Sequence, residues 1–237
     1  MDDIRVDQAL AEVTSALHQH HDVTGFLADL IEVCQRALAV DATGIMVLSR
    51  SGRLQLLAAS THRSTELELY QSQIDEGPCV DAAADDVSVI LAEEAALRER
   101  WPRFGPAMVE AGFRSVHSMP LRWEGAPLGA MALFRHRAVA LDGREDQAAR
   151  AFADVVVHAV MDDELPGSSA TQDRIDAALA GRVLIEQAKG VMARHRGVGM
   201  GDAYDLLIER ATASGRTLTE AAAELVAQAQ RGELDPA

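Results

Sequence analysis

Gly44-Ile45-Met46-Val47-Leu48-Ser49-Arg50-Ser51-Gly52-Arg53-Leu54-Gln55-Leu56-Leu57-Ala58-Ala59-Ser60 decides the fold class of this 237-residue chain. Gly44–Ser49 and Arg53–Ser60 are apolar, strand-like runs, and the Ser51-Gly52 turn between them reads as a β-hairpin. Working outward, Val6, Leu10, Val13 and Leu17 lie on one helical stripe, and Leu27, Leu30, Ile31, Cys34 and Leu38 form a second that starts near Asp22–Thr24. Beyond the hairpin, Val87–Leu91, Arg114–Met119 and Pro127–Phe134 are further strand candidates. Ala95–Glu99 and Pro106–Ala111 read as short helices, and the Glu93-Glu94 and Glu99 run reads as a solvated helix face. Asp146–Met161 is a closing helix with Ala148, Phe152, Val155 and Ala159 on one face. Helices, an antiparallel sheet and a closing helix predict an α+β domain over residues 1–163.

Leu165-Pro166-Gly167-Ser168-Ser169 stops that helix, so residues 164–171 read as a linker. Residues 172–237 are helical throughout. The first helix spans about Gln172 to Arg196. After the glycine-rich turn Gly197–Gly201, Asp202 is expected to cap a second, with Ala203, Leu207 and Ala211 inward. Ser214-Gly215 breaks it. Thr217-Leu218-Thr219-Glu220 has capping-box spacing and opens a third helix with Leu218, Ala221, Ala222 and Leu225 inward. This thin Ala/Leu core is marginal alone, which predicts help from a second copy of the chain, a homodimer.

The net charge of −15 is uneven. From Thr171 onward eight basic residues face ten acids, a net of −2, whereas the first 170 residues carry 14 arginines against 27 acids, a net of −13. Any nucleic-acid contact is therefore expected in the tail. Two distant cysteines, Cys34 and Cys79, form no disulfide or zinc framework. No apolar run approaches the ~18 residues of a membrane span, and Met1-Asp2-Asp3-Ile4-Arg5 lacks the features of a secretory signal. These features predict a cytoplasmic protein without membrane contact.

Arg182, Lys189 and Arg196 recur every seven residues and share one helix face. From Arg182 to Arg196 there are four cations and one acid, Glu186, a stripe able to neutralise phosphates. Lys189 is the chain's single lysine. Gly190 permits close approach of a nucleic-acid backbone. Tyr204 suits stacking on an unpaired base, worth roughly 1–3 kcal/mol. The plainer readings are a solvated basic stripe, a packing glycine and a core tyrosine. A helix-turn-helix reading is disfavoured, because its recognition helix would be Leu218–Gln228, which holds Glu220 and Glu224 and no cation.

Ile185-Glu186-Gln187-Ala188-Lys189-Gly190-Val191-Met192, followed by Asp202-Ala203-Tyr204, Leu207, Ala211, Arg216, Leu218 and Ala222, resembles the ANTAR domain, the RNA-binding output module of bacterial transcription antiterminators. The resemblance spans Arg182–Val226. It implies binding of paired short-loop RNA hairpins in nascent transcripts, which prevents a terminator from forming. It further implies phosphate contacts from Arg182, Lys189, Arg194 and Arg196, with Gly190 and Tyr204 near the loop bases and Arg216 completing the set. Ile208 stands where the family often has arginine, and nearby Arg210 is the candidate substitute.

Glu76-Gly77-Pro78-Cys79-Val80-Asp81-Ala82, Arg114–Leu121 and Leu128–Phe134, in their order of strands and helices, resemble a GAF domain from about Val23 to Met161. The whole then resembles the GAF–ANTAR two-domain regulators of actinobacteria. Some GAF proteins reduce free methionine sulfoxide with several cysteines; with only two here no catalytic residue is expected, and the resemblance implies a sensing or dimerising domain. Its ligand and cofactor are not readable, and no cyclic-nucleotide signature is present. Cys79 is a possible redox site against a structural thiol. His18, His20 and His21 form a solvated cluster with no metal expected, and His117 is a candidate haem ligand against a core histidine. The alternative function is a GAF-based redox or ligand sensor acting through protein partners without RNA.

Overall fold

The hairpin read from the sequence forms the edge of a five-stranded antiparallel sheet. β1 (Ala42–Leu48) pairs with β2 (Leu54–Ala59), and the turn uses Gly52 at φ 75°. The sheet order is β2-β1-β5-β4-β3, with β3 (Val89–Leu91), β4 (Ser115–Trp123) and β5 (Ala126–Arg135). The computed structural model describes residues 6–17, 23–161 and 171–234. Residues 164–170 of the expected linker and the cluster His18, His20, His21 lie outside the described residues.

Strand alternation sends successive side chains to two layers. Ile45, Val47, Met119, Leu121, Met131 and Leu133 meet α1 (Val6–Leu17), α2 (Val23–Leu38) and α7 (Gly143–Met161). On the other face Ala42, Met46, Val116, Ala130, Ala132 and Phe134 share a core with Leu67, Cys79, Leu97 and Phe104. Four helices supply that second layer: α3 (His62–Ile74), α4 (Pro78–Asp85), α5 (Glu94–Arg100) and α6 (Phe104–Glu110).

Neither α3 nor α4 is legible in the sequence, and for α3 the reason is its composition. Its buried residues are Ser64, Leu67, Glu68 and Gln71, so a helical stripe exists but three of its four members are polar. An apolar-periodicity search cannot see it. Its start is set by a capping box in which Thr61 and Ser64 each accept from the other's backbone N–H.

The tail folds as three helices, α8 (Thr171–Arg196), α9 (Met200–Ser214) and α10 (Leu218–Arg231), around Ile185, Ala188, Met192, Leu207, Ala222 and Leu225. Gly199, not Asp202, occupies the N-cap of α9. Asp202 stands in the first turn, where its charge still complements the exposed N–H groups. The Thr217–Glu220 capping box forms as its spacing predicts. Thr217→Ala is expected to destabilise the tail by about 1 kcal/mol, and a melt of the variant against the wild-type chain would show an unchanged midpoint if the cap were idle.

The packing of α8 divides along its length. Ile175 and Ala178 join the core of α1, α2 and α7, whereas Ile185 onward builds the tail core. Support for the small bundle thus comes from the first domain of the same chain. Arg50 at the hairpin turn reaches Asp173 and Asp176, the latter at 2.5 Å. At Gly181 a Cβ would stand 2.9 Å from Thr24 Oγ1, so glycine lets α8 lie close against α2.

Candidate functional site

Arg182 and Lys189 are two turns apart on α8, and Tyr204 projects from the first turns of α9. The three line one side of a cleft of about 460 Å³ between the tail and the first domain. Lys189 Nζ donates to Glu186 Oε1 at 3.0 Å and lies 5.6 Å from the centre of the Tyr204 ring. Its charge is thereby held over an aromatic face, a cation–π contact. Arg182 is half-buried, and burial pushes its pKa below the usual guanidinium value, with Glu186 acting in the opposite direction.

The other expected RNA contacts are spread more widely. Gly190 is exposed, and a Cβ there would meet nothing within 4 Å, so the surface beside Lys189 is open. Arg194 and Arg196 are exposed at the C-terminal end of α8, outside the cleft. Arg216 precedes α10 and bonds to Glu224. Arg210 donates to Gln228 Oε1 at 2.8 Å, which ties it to α10. Ile208 itself is 37% exposed.

A second cluster, which the sequence reading missed apart from Cys79, lies inside the first domain. Glu68 and Gln71 of α3, Cys79 of α4 and Ser118 of β4 are all fully buried. Gln71 Nε2 donates to Glu68 Oε2, the Cys79 backbone N–H donates to Gln71 Oε1 at 2.9 Å, and Cys79 Sγ sits 3.9 Å from Glu68 Oε1. Ser118 Oγ donates to Cys79 Sγ at 3.6 Å. Gly44 makes the space: a Cβ there would fall 2.2 Å from Glu68 Oε1. Burial pushes the Glu68 carboxyl from 4.5 up to about 8, against the pull of the Cys79 and Gln71 donors, so it is a neutral acid at pH 7.

The Cys79 thiol is raised by burial first and by the neighbouring Glu68 next. It is held in the unreactive protonated form. Cys34 is likewise fully buried, with its thiol raised by burial.

His117 faces the opposite side of the sheet. Its Nε2 is 3.1 Å from Asp146 Oδ1 of α7, yet neither atom finds an aligned hydrogen bond. Burial pushes its pKa down while Asp146 pulls it up, leaving a neutral ring. The cavity beside it measures about 10 Å³, room for one water at most. The haem-ligand reading of His117 is therefore corrected: the ring is packed under α7. Among the described residues, no group of three or more His, Cys, Asp or Glu side chains is arranged to hold a metal ion. No helix among them is long and apolar enough to cross a membrane.

An α+β sensor-type sheet joined to a basic-faced three-helix tail defines a two-domain regulator. The GAF domain family matches residues 20–161 and the ANTAR domain family matches residues 173–226. The chain belongs to the GAF domain family and carries a C-terminal ANTAR domain, the arrangement of a GAF–ANTAR regulator. ANTAR is an RNA-binding antitermination domain and GAF a sensory domain that can take small ligands; both are regulatory.

Among solved structures, the GAF domain of a phosphoenolpyruvate-protein phosphotransferase from Coxiella burnetii is 15% identical, with 77% of this chain and 99% of that one covered at a TM-score of 0.53. A phycocyanobilin-bound GAF domain from a cyanobacterial phytochrome is 13% identical, covering 69% and 98% at 0.51. The GAF domain of the Acinetobacter phosphotransferase is 16% identical, covering 67% and 96% at 0.50. Likeness at this identity speaks for the fold alone. No curated protein matches the chain.

Proposed function

We propose that this chain is a signal-responsive transcription antitermination regulator, not an enzyme. Residues 1–163 sense or dimerise, residues 164–171 link, and residues 172–237 bind paired short-loop RNA hairpins in the cytoplasm, two tails of a homodimer gripping two hairpins. The observation that carries this reading is the convergence of Arg182, Lys189 and Tyr204 on one surface of a domain matched as ANTAR. Lys189 and Arg182 neutralise phosphate, Tyr204 stacks on a loop base, and the open surface at Gly190 admits the backbone. Arg194 and Arg196 extend the phosphate track, and Arg216 contributes once released from Glu224.

The test is a filter-binding titration of the full chain against an RNA with two adjacent hairpins, a single-hairpin RNA and a duplex DNA of equal length. Selective binding of the paired hairpins is expected, with log K falling against log salt at a slope of about −3 for four neutralised phosphates. Equal affinity for the duplex DNA, or an affinity indifferent to salt, would overturn the reading. One observation favours a second reading, an adaptor that works through proteins: Glu186 and Glu224 already hold Lys189 and Arg216. That reading expects no RNA binding at any salt concentration.

A further inference from the structure

Arg182 is half-buried at the junction of two domains and makes no hydrogen bond or close salt bridge with any described residue; Glu186 acts on its charge without a hydrogen bond and is itself held by Lys189. A cation withdrawn from water and left unpaired is unfavourable unless an anion completes it. Glu186 is occupied by Lys189, and Glu32 lies 3.8 Å from Arg36 with 71% of its side chain exposed. Asp205, the remaining acid of the cleft, is exposed. No acid of the cleft therefore engages the guanidinium donors of Arg182 by a hydrogen bond.

The facing wall belongs to the GAF domain. Ala28 of α2 and Ala58 and Ala59 of β2 give it an apolar part, and Glu32, Thr61 and Thr65 a polar one. At about 460 Å³ the cleft falls in the size range of small-molecule sites, about 300–1,000 Å³. A lining that mixes apolar and polar side chains, with a half-buried guanidinium free of hydrogen bonds, suits an organic anion.

We propose that the cleft between the GAF and ANTAR domains binds a small organic anion. Its carboxylate or phosphate pairs with Arg182, and its apolar or aromatic body rests against Ala28, Ala58 and the Tyr204 ring. Because the site needs both walls, its occupant stabilises the docked arrangement of α8 on the GAF domain and no other. Arg182, Lys189 and Tyr204 are then withheld from RNA, and the anion acts as a negative effector. RNA affinity falls by the factor 1 + [L]/Kd, with L the anion. This regulatory half rests on the reading of α8 as the RNA face; the binding site itself does not.

Calorimetric titration of the full chain with phenyl phosphate and with phenylacetate tests the site, with phenol as the neutral control. At least one anion should bind and phenol should not, and the stronger arm identifies the headgroup. Arg182→Met should weaken that binding at least tenfold, and Ala28→Phe, which fills the cleft from the GAF side, should do the same. Both variants are melted without probe, and Arg182→Gln replaces Arg182→Met if the latter is unfolded. The site is overturned if neither anion binds up to ~1 mM, if Arg182→Met binds as the wild type does, or if Ala28→Phe leaves affinity unchanged, since the anion would then rest on the tail alone. A bound anion that leaves hairpin RNA affinity unchanged would overturn the coupling and spare the site. Absence of RNA binding without any anion would instead count against the RNA reading.

Discussion

Glu68→Gln is expected to raise the melting temperature of the chain at pH 8 and to leave it nearly unchanged at pH 4. The carboxyl titrates at about 8 in the fold and near 4.5 when exposed, because burial disfavours its charge. Between those values the folded chain keeps a proton that the unfolded chain releases. Stability is therefore fully present below pH 4.5, falls as pH rises through the window, and levels off above pH 8. The slope within the window is about 1.4 kcal/mol per pH unit, so the loss reaches several kcal/mol. A carboxamide keeps an acceptor for Gln71 Nε2 and cannot ionise beside Cys79. The expected gain at pH 8 is about 10 °C for a chain of this size. Differential melts of the two proteins across pH isolate the effect, because other titrating groups, His117 among them, cancel in the difference. Parallel curves would show that Glu68 keeps its ordinary acidity.

Lys189→Ala is expected to weaken hairpin RNA binding by roughly tenfold or more and to reduce the salt slope by about 1. Two effects act in the same direction. The variant loses an ammonium aimed at phosphate, and it releases Glu186, which Lys189 holds at 3.0 Å, as an unneutralised charge on the same surface. Tyr204 also loses the cation over its ring. Stability should change by less than about 1 kcal/mol, because the ion pair is partly exposed and spans one helical turn. Filter binding paired with thermal melting reads both quantities. Full affinity in a normally melting variant would remove Lys189 from the RNA surface.

These two residues differ in how visible they were. Lys189 stands in a motif whose neighbours in sequence are its neighbours on the helix, so its face and its charge environment follow from spacing alone. Glu68 stands in α3, where buried serine, glutamate and glutamine replace the apolar stripe that identifies a helix. Nothing within a turn of Glu68 announces its burial. Its surroundings come from Gly44, Cys79 and Ser118, which three other elements bring to it. Asp202 makes the same point at smaller scale: its residue type fitted a cap, yet the glycine-rich turn starts α9 three residues earlier, at Gly199.

The sequence by itself determined the hairpin, the alternation of sheet and helix, the capping box at Thr217 and the basic motif of α8. Each depends on residues within one element or on a spacing of a few positions, and such local periodicities survive without a fold around them. Tertiary structure alone decided that α8 serves two cores, that Arg182 looks across a cleft at α2, that Arg210 turns to Gln228, and that Glu68 holds its proton at neutral pH. All four are consequences of burial and of distances between residues far apart in the chain. Burial also sets the strength of every charge involved, because removing water from a charged group changes its energy far more than any exposed neighbour does.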